Sequence, residues 1–242
     1  MSAPLRVVSL VPSATETLRA LGVTPVACTR FCEQPDLPTV GGTKNPDVAA
    51  IVGLAPDLVV VNDEENRRDD ADALAAAGVA VHSMSPRSVA DVGEAVHALA
   101  AAIDVDVPSP FGADEWAAWM ASVRVAHVRD AFVAVWRRPW MSMAADTYGA
   151  SLLDLLGVGN VFAGAEDRYP EVGLADVAAR APDVILLPSE PYAFGPQHAA
   201  EVAQVVPGVP VVFVDGRDLF WWGIRTPAAA ARLANAIRQS LR

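Results

Sequence analysis

The residues best equipped for chemistry in this chain are aromatic rather than nucleophilic. The stretch "DLFWWGIRTP", Asp218–Pro227, sets Trp221 and Trp222 side by side, with Phe220 before them and Arg225 after. Neighbouring residues on regular backbone point to different sides, so one core does not readily take both rings. The pattern suits one ring packed inward and one offered to a flat ligand, and the spacing leaves open which is which. "SEPYAFG" adds Glu190 and Tyr192, "TRFCEQPD" adds Phe31 and Cys32, and "NDEENRR" adds Asn62 and three carboxylates. Rings for stacking, with a few amide, carboxylate and guanidinium groups, are the equipment of a small-molecule binding site.

The patterns of catalysis are missing. No phosphate loop, dinucleotide fingerprint or nucleophile elbow occurs, and Gly157, Gly159 and Gly164 have the wrong spacing for one. Asp63 and Glu65 are near neighbours in the chain, which does not make a catalytic carboxylate pair. Cys28 and Cys32 lack both CxxC spacing and the second pair of a zinc site. Cys28 reads as a buried strand-end residue. Cys32 reads either as a buried thiol or as a soft axial ligand. His82, His97, His127 and His198 are scattered, with His198 near "SEPYAFG". The expectation is no catalytic residue, no bound metal and no intrinsic cofactor.

Composition narrows the partners. A net charge of -11 and a pI near 4.7 speak against nucleic acid and anionic membrane surfaces. No apolar run approaches the ~20 residues of a membrane span, so no membrane insertion is expected. "MSAPLRVVSLVPS" has no secretory pattern, which gives a cytoplasmic expectation, or an extracytoplasmic one if a leader has been removed. Lys44 is the only lysine, within "GGTKNPD". It is read as a clamp between loops, or as a contact to an anionic ligand arm, with a helix starting at Pro46 behind an Asn45 cap.

The elements that position these residues alternate strand and helix. "RVVSLV" reads as a strand and "SATETLRALG" as a helix, with Ser13 and Glu16 at capping-box spacing and Gly22 at its end. "VAAIVGLAPDLVVVNDE" is echoed by "LADVAARAPDVILLPSE", each a helix, an Ala-Pro-Asp turn and an apolar strand. "AFVAVW", "NVFAG" and "GVPVVFVD" supply further strands. The repeat implies an α/β chain of two lobes, each with a parallel sheet flanked by helices. The expected division is residues 1–87, a helical connector over 88–128, and 129–242. Trp116 and Trp119 in the connector are read as packing. Ligands of open parallel sheets sit beyond the strands' carboxyl ends, where most of the unusual residues fall. "NDEENRR" is also readable as a helix start, with Arg67 and Arg68 pairing to Asp70 and Asp72.

"RVVSLVPSATETLRALG", "VGGTKNPDVAAIVGLAPDLVVVNDEENRRDDADALAAAGV", "APDVILLPSEPYAF" and "DLFWWGIRTP" together carry a resemblance. The chain is similar to the class III substrate-binding proteins, the helical-backbone metal receptors, and looks most like the cobalamin-binding proteins of ABC uptake systems. The resemblance implies a monomeric, non-catalytic receptor that holds a metal-centred macrocycle in an interlobe cleft. Its ligand would be cobalamin or a related corrinoid, for uptake or intracellular handling, with an ABC transporter permease as partner. Phe31, Cys32, Asn62, Tyr192, Phe220, Trp221 and Trp222 would line the cleft, and Asn62, Glu190 and Arg225 would orient polar arms. A ferric siderophore or haem is the alternative within the same fold, with Arg30, Arg137 and Arg225 converging on an anionic chelate. A cytosolic α/β enzyme or regulatory module is the alternative from another class.

Overall fold

Short β-branched runs bounded by proline, glycine and aspartate form the first sheet. Its strands are β1 (Val7–Ser9), β2 (Ala27–Cys28), β3 (Leu58–Val61) and β4 (Val81–Ser83). The computed structural model describes residues 4–239. The strands are all parallel, in the order β2-β1-β3-β4, with Val8 opposite both Ala27 and Val59. Parallel neighbours need crossovers. Helices α1 (Pro12–Ala20), α2 (Val48–Gly53) and α3 (Arg68–Ala76) are the helical segments between them. Two longer helices follow, α4 (Val89–Ala102) and α5 (Ala113–Val123).

The second sheet repeats the plan with β5 (Arg129–Val133), β6 (Val158–Asn160), β7 (Val184–Pro188) and β8 (Val211–Val214). These strands are again all parallel, in the order β6-β5-β7-β8, which is the first order displaced by four. Helices α6 (Tyr148–Leu155), α7 (Leu174–Ala179), α8 (Pro196–Val205), α9 (Gly216–Phe220) and α10 (Thr226–Gln239) complete the chain. The expected α/β class, with two helix-flanked parallel sheets, is what the chain forms.

Contacts divide the chain into two compact units. The first takes residues up to Pro86, Asp91–Trp116 and Trp222–Ile224; the second takes Arg87–Ala90, Ala117–Trp221 and Arg225 onward. The helical stretch 88–128 is therefore shared between the units. The core of the first is built on Val8, Leu10, Ile51, Val59 and Leu74; that of the second on Phe132, Ile185, Leu187, Phe162 and Val202. Trp116 is buried and stacked on Phe111 at 4.9 Å, the packing role its spacing suggested, while Trp119 is half-buried.

Several local expectations are corrected. Ser13 does not cap α1: Val11 is the cap residue, Pro12 fills the first turn, and Ser13 lies inside the helix. Proline has no N–H to satisfy and a helical φ, so it starts the helix earlier than the capping-box pattern does. α2 is capped by Asp47, whose Oδ1 accepts the Ala50 N–H at 2.9 Å, and not by Asn45. β6 ends at Asn160, before most of "NVFAG", because the Asn160 side chain accepts the Phe162 N–H and turns the chain there. Residues 216–220, to which no element is assigned from the sequence, form α9 behind an Asp215 cap.

Candidate functional site

In the first unit the carboxyl ends of the strands are packed with polar groups that satisfy one another. Asn62, directly after β3, is buried. Its amide donates to the Met84 carbonyl at 3.0 Å, and its Oδ1 accepts the N–H groups of Glu64 and Glu65 at 2.8 and 3.0 Å. Asn66 completes the frame: its Oδ1 accepts the Asn62 N–H, and its amide donates to Leu10 and Thr43 carbonyls. Lys44 donates to the Glu64 carbonyl at 2.5 Å, so the sole lysine does clamp two loops. Arg67 and Arg68 pair with Asp70 and Asp72 along α3, as the spacing suggested.

Cys32 closes a single 3₁₀ turn (Arg30–Cys32) after β2 and is 1% exposed. The hydroxyl of Thr15 donates to its Sγ at 3.1 Å, and the Thr29 hydroxyl lies at 3.2 Å. Hydrogen bonds from Cys28, Thr15 and Thr29 pull the Cys32 thiol down to about 6 against the opposing effect of burial. The bond to Cys32, together with burial, pushes the Cys28 thiol up. Phe31, one residue earlier, is 49% exposed, with the Arg30 guanidinium 4.7 Å from its ring centre.

Trp222 belongs to this first unit and is 5% exposed. The turn after it is fixed by Gly223, whose φ of +104° favours glycine and whose missing Cβ leaves room for the Thr17 hydroxyl. That hydroxyl donates to the Ser13 carbonyl and accepts the Ile224 N–H.

The strand ends of the second unit carry rings instead. Trp136, beyond β5, is 42% exposed and meets Tyr192 edge-on at 5.4 Å. Tyr192 lies 4.8 Å from Phe194, which stacks on Trp140 at 5.6 Å with only 9° between the planes. His198 packs against both Tyr192 and Phe194. Its Nδ1 accepts the Gly195 N–H at 3.0 Å, leaving Nε2 facing the Tyr192 hydroxyl at 3.4 Å. Behind the rings, Arg137 makes a forked pair with Glu201, whose Oε1 also faces Trp140 Nε1 at 3.3 Å. Chiefly through its hydrogen bonds from Arg137, Glu201 is held below the usual carboxylate range.

α9 and the residue that follows it carry two further rings. Gly216 packs so closely on Glu190 that any Cβ would overlap its backbone, and the Gly216 N–H is bonded to Ser189 Oγ at 3.0 Å. Phe220 is half-buried beside Gly149 of α6. Trp221 is half-buried, with the Arg225 guanidinium 5.2 Å from its ring centre. Arg225 donates to Asp218 Oδ1 at 2.9 Å, and Arg232 makes two bonds of 2.6 Å to the same carboxylate, which is 3% exposed.

Within the second unit, then, Glu190 and Tyr192 follow β7, while Phe220, Trp221 and Arg225 lie on α9 and just after it. In the first, Phe31 is open, while Cys32, Asn62 and Trp222 are buried. Asp218, Glu201 and Arg232 were missed. Their only sequence signal is opposite charge at long separations, which means nothing until α8, α9 and α10 are known. A hollow of about 300 Å³ against α6 and β6, lined by Ser151 and Asn160 among others, lacks aromatic walls. No group of three or more His, Cys, Asp or Glu is placed to hold a metal ion among the described residues. No helix there is long and apolar enough to cross a membrane.

Comparison with known proteins agrees with this architecture. Residues 7–205 match the family described as periplasmic binding protein. The vitamin B12-binding protein of Photorhabdus laumondii subsp. laumondii is 24% identical over 196 residues, covering 77% of this chain and 71% of the relative. That of Salmonella choleraesuis is 25% identical over 190 residues, covering 75% and 71%. Among solved structures, the periplasmic vitamin B12 binding protein of Vibrio cholerae superposes with a TM-score of 0.78 at 20% identity, over 98% of both chains. A periplasmic heme-binding protein in complex with two hemes gives 0.81 at 24% identity, over 99% of this chain and all of its own.

Proposed function

Since the chain belongs to the periplasmic binding protein family, we propose that it is a non-catalytic receptor for cobalamin or a related corrinoid. The observation that carries this reading is the set of partly open rings at the second sheet's strand ends, Trp136, Tyr192 and Trp221. A corrin is a broad, flat, largely apolar ring rimmed with amide arms. Stacking on aromatic faces contributes affinity without large entropy loss, because these side chains have few rotatable bonds and are already packed. Phe220 adds further apolar surface beside them. Glu190 and the guanidinium of Arg225, held by Asp218, orient the polar arms. Asn62, Cys32 and Trp222 hold the frame, because their polar atoms or rings are spent on the protein itself. Uptake through an ABC-type permease is the corresponding partner reading, with the chain acting as a monomer.

A haem or ferric chelate is the second reading. It rests on the Tyr192 phenol beside the His198 imidazole, both groups of the kind that ligate haem iron. Against the anionic-chelate version, Arg137 is already paired with Glu201 and Arg225 with Asp218.

Titration with cyanocobalamin, followed by tryptophan fluorescence and by calorimetry, tests the first reading; haem and ferric chelates are titrated in parallel. Saturable binding of cobalamin alone is the expected result. Binding of haem alone establishes the second reading, and silence with every ligand overturns the receptor assignment. Fractionation of cells producing the protein tests the periplasmic address that the family's description gives.

A further inference from the structure

Trp221 and Arg225 meet in the second unit although the three residues between them, Trp222–Ile224, belong to the first. We propose that the first turn of α6 is the platform that fixes this pair, with Tyr148 as its positioning residue. The use of the pair as a ligand contact rests on the receptor reading; its placement is a property of the chain alone.

Two successive residues of α6 hold the two ends of the segment. Ahead of Trp221, α9 lies against Gly149. A Cβ there would stand 3.1 Å from the Leu219 carbonyl oxygen, 3.2 Å from Met143 Sδ and 3.3 Å from the Phe220 ring, so these neighbours would have to give way to any larger residue. α9 passes this placement on to Trp221, whose N–H donates to the Arg217 carbonyl at 3.0 Å. Behind the segment, Tyr148 Oη and Thr226 Oγ1 share a hydrogen bond of 2.9 Å, and both residues are buried. Thr226 opens α10, and the Arg225 carbonyl accepts the Ala229 N–H at 2.9 Å, which puts Arg225 at the cap of that helix.

The platform is itself braced. The Thr147 hydroxyl donates to the Ala144 carbonyl at 2.9 Å and faces the Ala150 N–H at the start of α6. A buried hydroxyl costs free energy unless it is bonded, and phenylalanine would fill the Tyr148 site without that cost. What the phenol adds is the bond to Thr226. Burial pushes its titration well up, so it stays neutral near neutral pH. Asp218 holds Arg225 at the guanidinium; Tyr148 holds it at the backbone, through Thr226. Holds at both ends of one side chain keep the guanidinium 5.2 Å from the centre of the Trp221 ring.

The test uses the whole chain labelled with fluorotryptophan, in which Trp221→Phe and Trp136→Phe identify two of the fluorine resonances. Tyr148→Phe removes the hydroxyl and keeps the ring. It should shift or broaden the Trp221 signal of the ligand-free chain and leave that of Trp136 in place. It should also weaken cyanocobalamin binding by about threefold to tenfold, the range that loss of one neutral hydrogen bond spans. Thr226→Val should do the same, and the double variant should add nothing to either single one. Thr226→Ser keeps the hydroxyl and should keep both readouts at their wild-type values. An unmoved Trp221 signal in Tyr148→Phe overturns the proposal, because Asp218 then suffices. Equal shifts of Trp221 and Trp136 overturn it too, because they mark a general loosening. If Tyr148→Phe fails to fold, Thr226→Val and Thr226→Ser decide in its place. Where the wild type binds no cyanocobalamin, the receptor reading falls and the fluorine signal alone decides this inference. A moved signal with cyanocobalamin affinity unchanged supports the placement and overturns the role of the pair as a ligand contact.

Discussion

The two sheets share one strand order, yet their carboxyl ends are furnished in opposite ways. In the first, Asn62, Asn66, Lys44, Thr15 and Cys32 bond to nearby backbone, hydroxyl or thiol groups. In the second, Trp136, Tyr192 and Trp221 stand partly open, backed by the Arg137–Glu201 and Arg225–Asp218–Arg232 pairs. A duplicated scaffold has thus been spent once on a stiff frame and once on rings with charged supports. The adjacent tryptophans mark the division, for Trp222 belongs to the first unit and Trp221 to the second.

The largest effect should come from that pair. Trp222→Ala empties a buried ring site and should cost about 3–5 kcal/mol of stability in urea unfolding. Trp221→Ala removes a half-exposed ring and should cost under about 1 kcal/mol in the same measurement, while weakening cyanocobalamin binding by about tenfold or more. Equal losses of stability would erase the distinction between frame and wall.

Next in size is Asp218→Ala, which strips the shared carboxylate from two guanidiniums. Arg232 is half-exposed and regains water, but Arg225 is largely buried, so the expected loss is about 3 kcal/mol. Asn62→Ala in the first unit should cost about 1–3 kcal/mol, because the Glu64 and Glu65 N–H groups and the Met84 carbonyl lose their partner. The comparison sharpens if Asp218→Ala also weakens cyanocobalamin binding while Asn62→Ala leaves it unchanged. A shift in affinity of the same size for both would contradict it.

Much of this was legible in the sequence, and what was not has a physical pattern. The alternation of strand and helix, the duplication, and the pairs Arg67–Asp70 and Arg68–Asp72 are local or periodic signals that a linear reading captures. The hydrogen bonds of Asn62 were not, because its partners include Met84, twenty-two residues away on the segment after β4. Helix α9 was hidden for a different reason. A single turn of "GRDLF" has little helical signal, and it forms because Asp215 caps it while Gly216 lets it approach Glu190. Asp218 then becomes important only because α9 and α10 bring Arg225 and Arg232 to one carboxylate.

The smallest expected effect tests whether the ring wall depends on its charged support. Glu201 titrates below an ordinary carboxylate because Arg137 and Trp140 bond to its ionised form. A folded value below the unfolded one means that the unfolded chain binds the proton first. The stabilisation is thus present in full above the unfolded value near 4.5 and fades as pH falls through the lower folded one. Glu201 is partly exposed, so solvent screening limits the contribution to about 0.5 kcal/mol. Glu201→Gln should flatten the acid limb of the stability curve by that amount and leave stability between pH 6 and 8 lower by a constant offset. If Arg137 also holds Trp140 against Phe194, the variant should loosen the stack and shift the tryptophan emission at neutral pH. An unchanged emission spectrum beside a flattened acid limb would make the pair an electrostatic ornament on rings that pack without it.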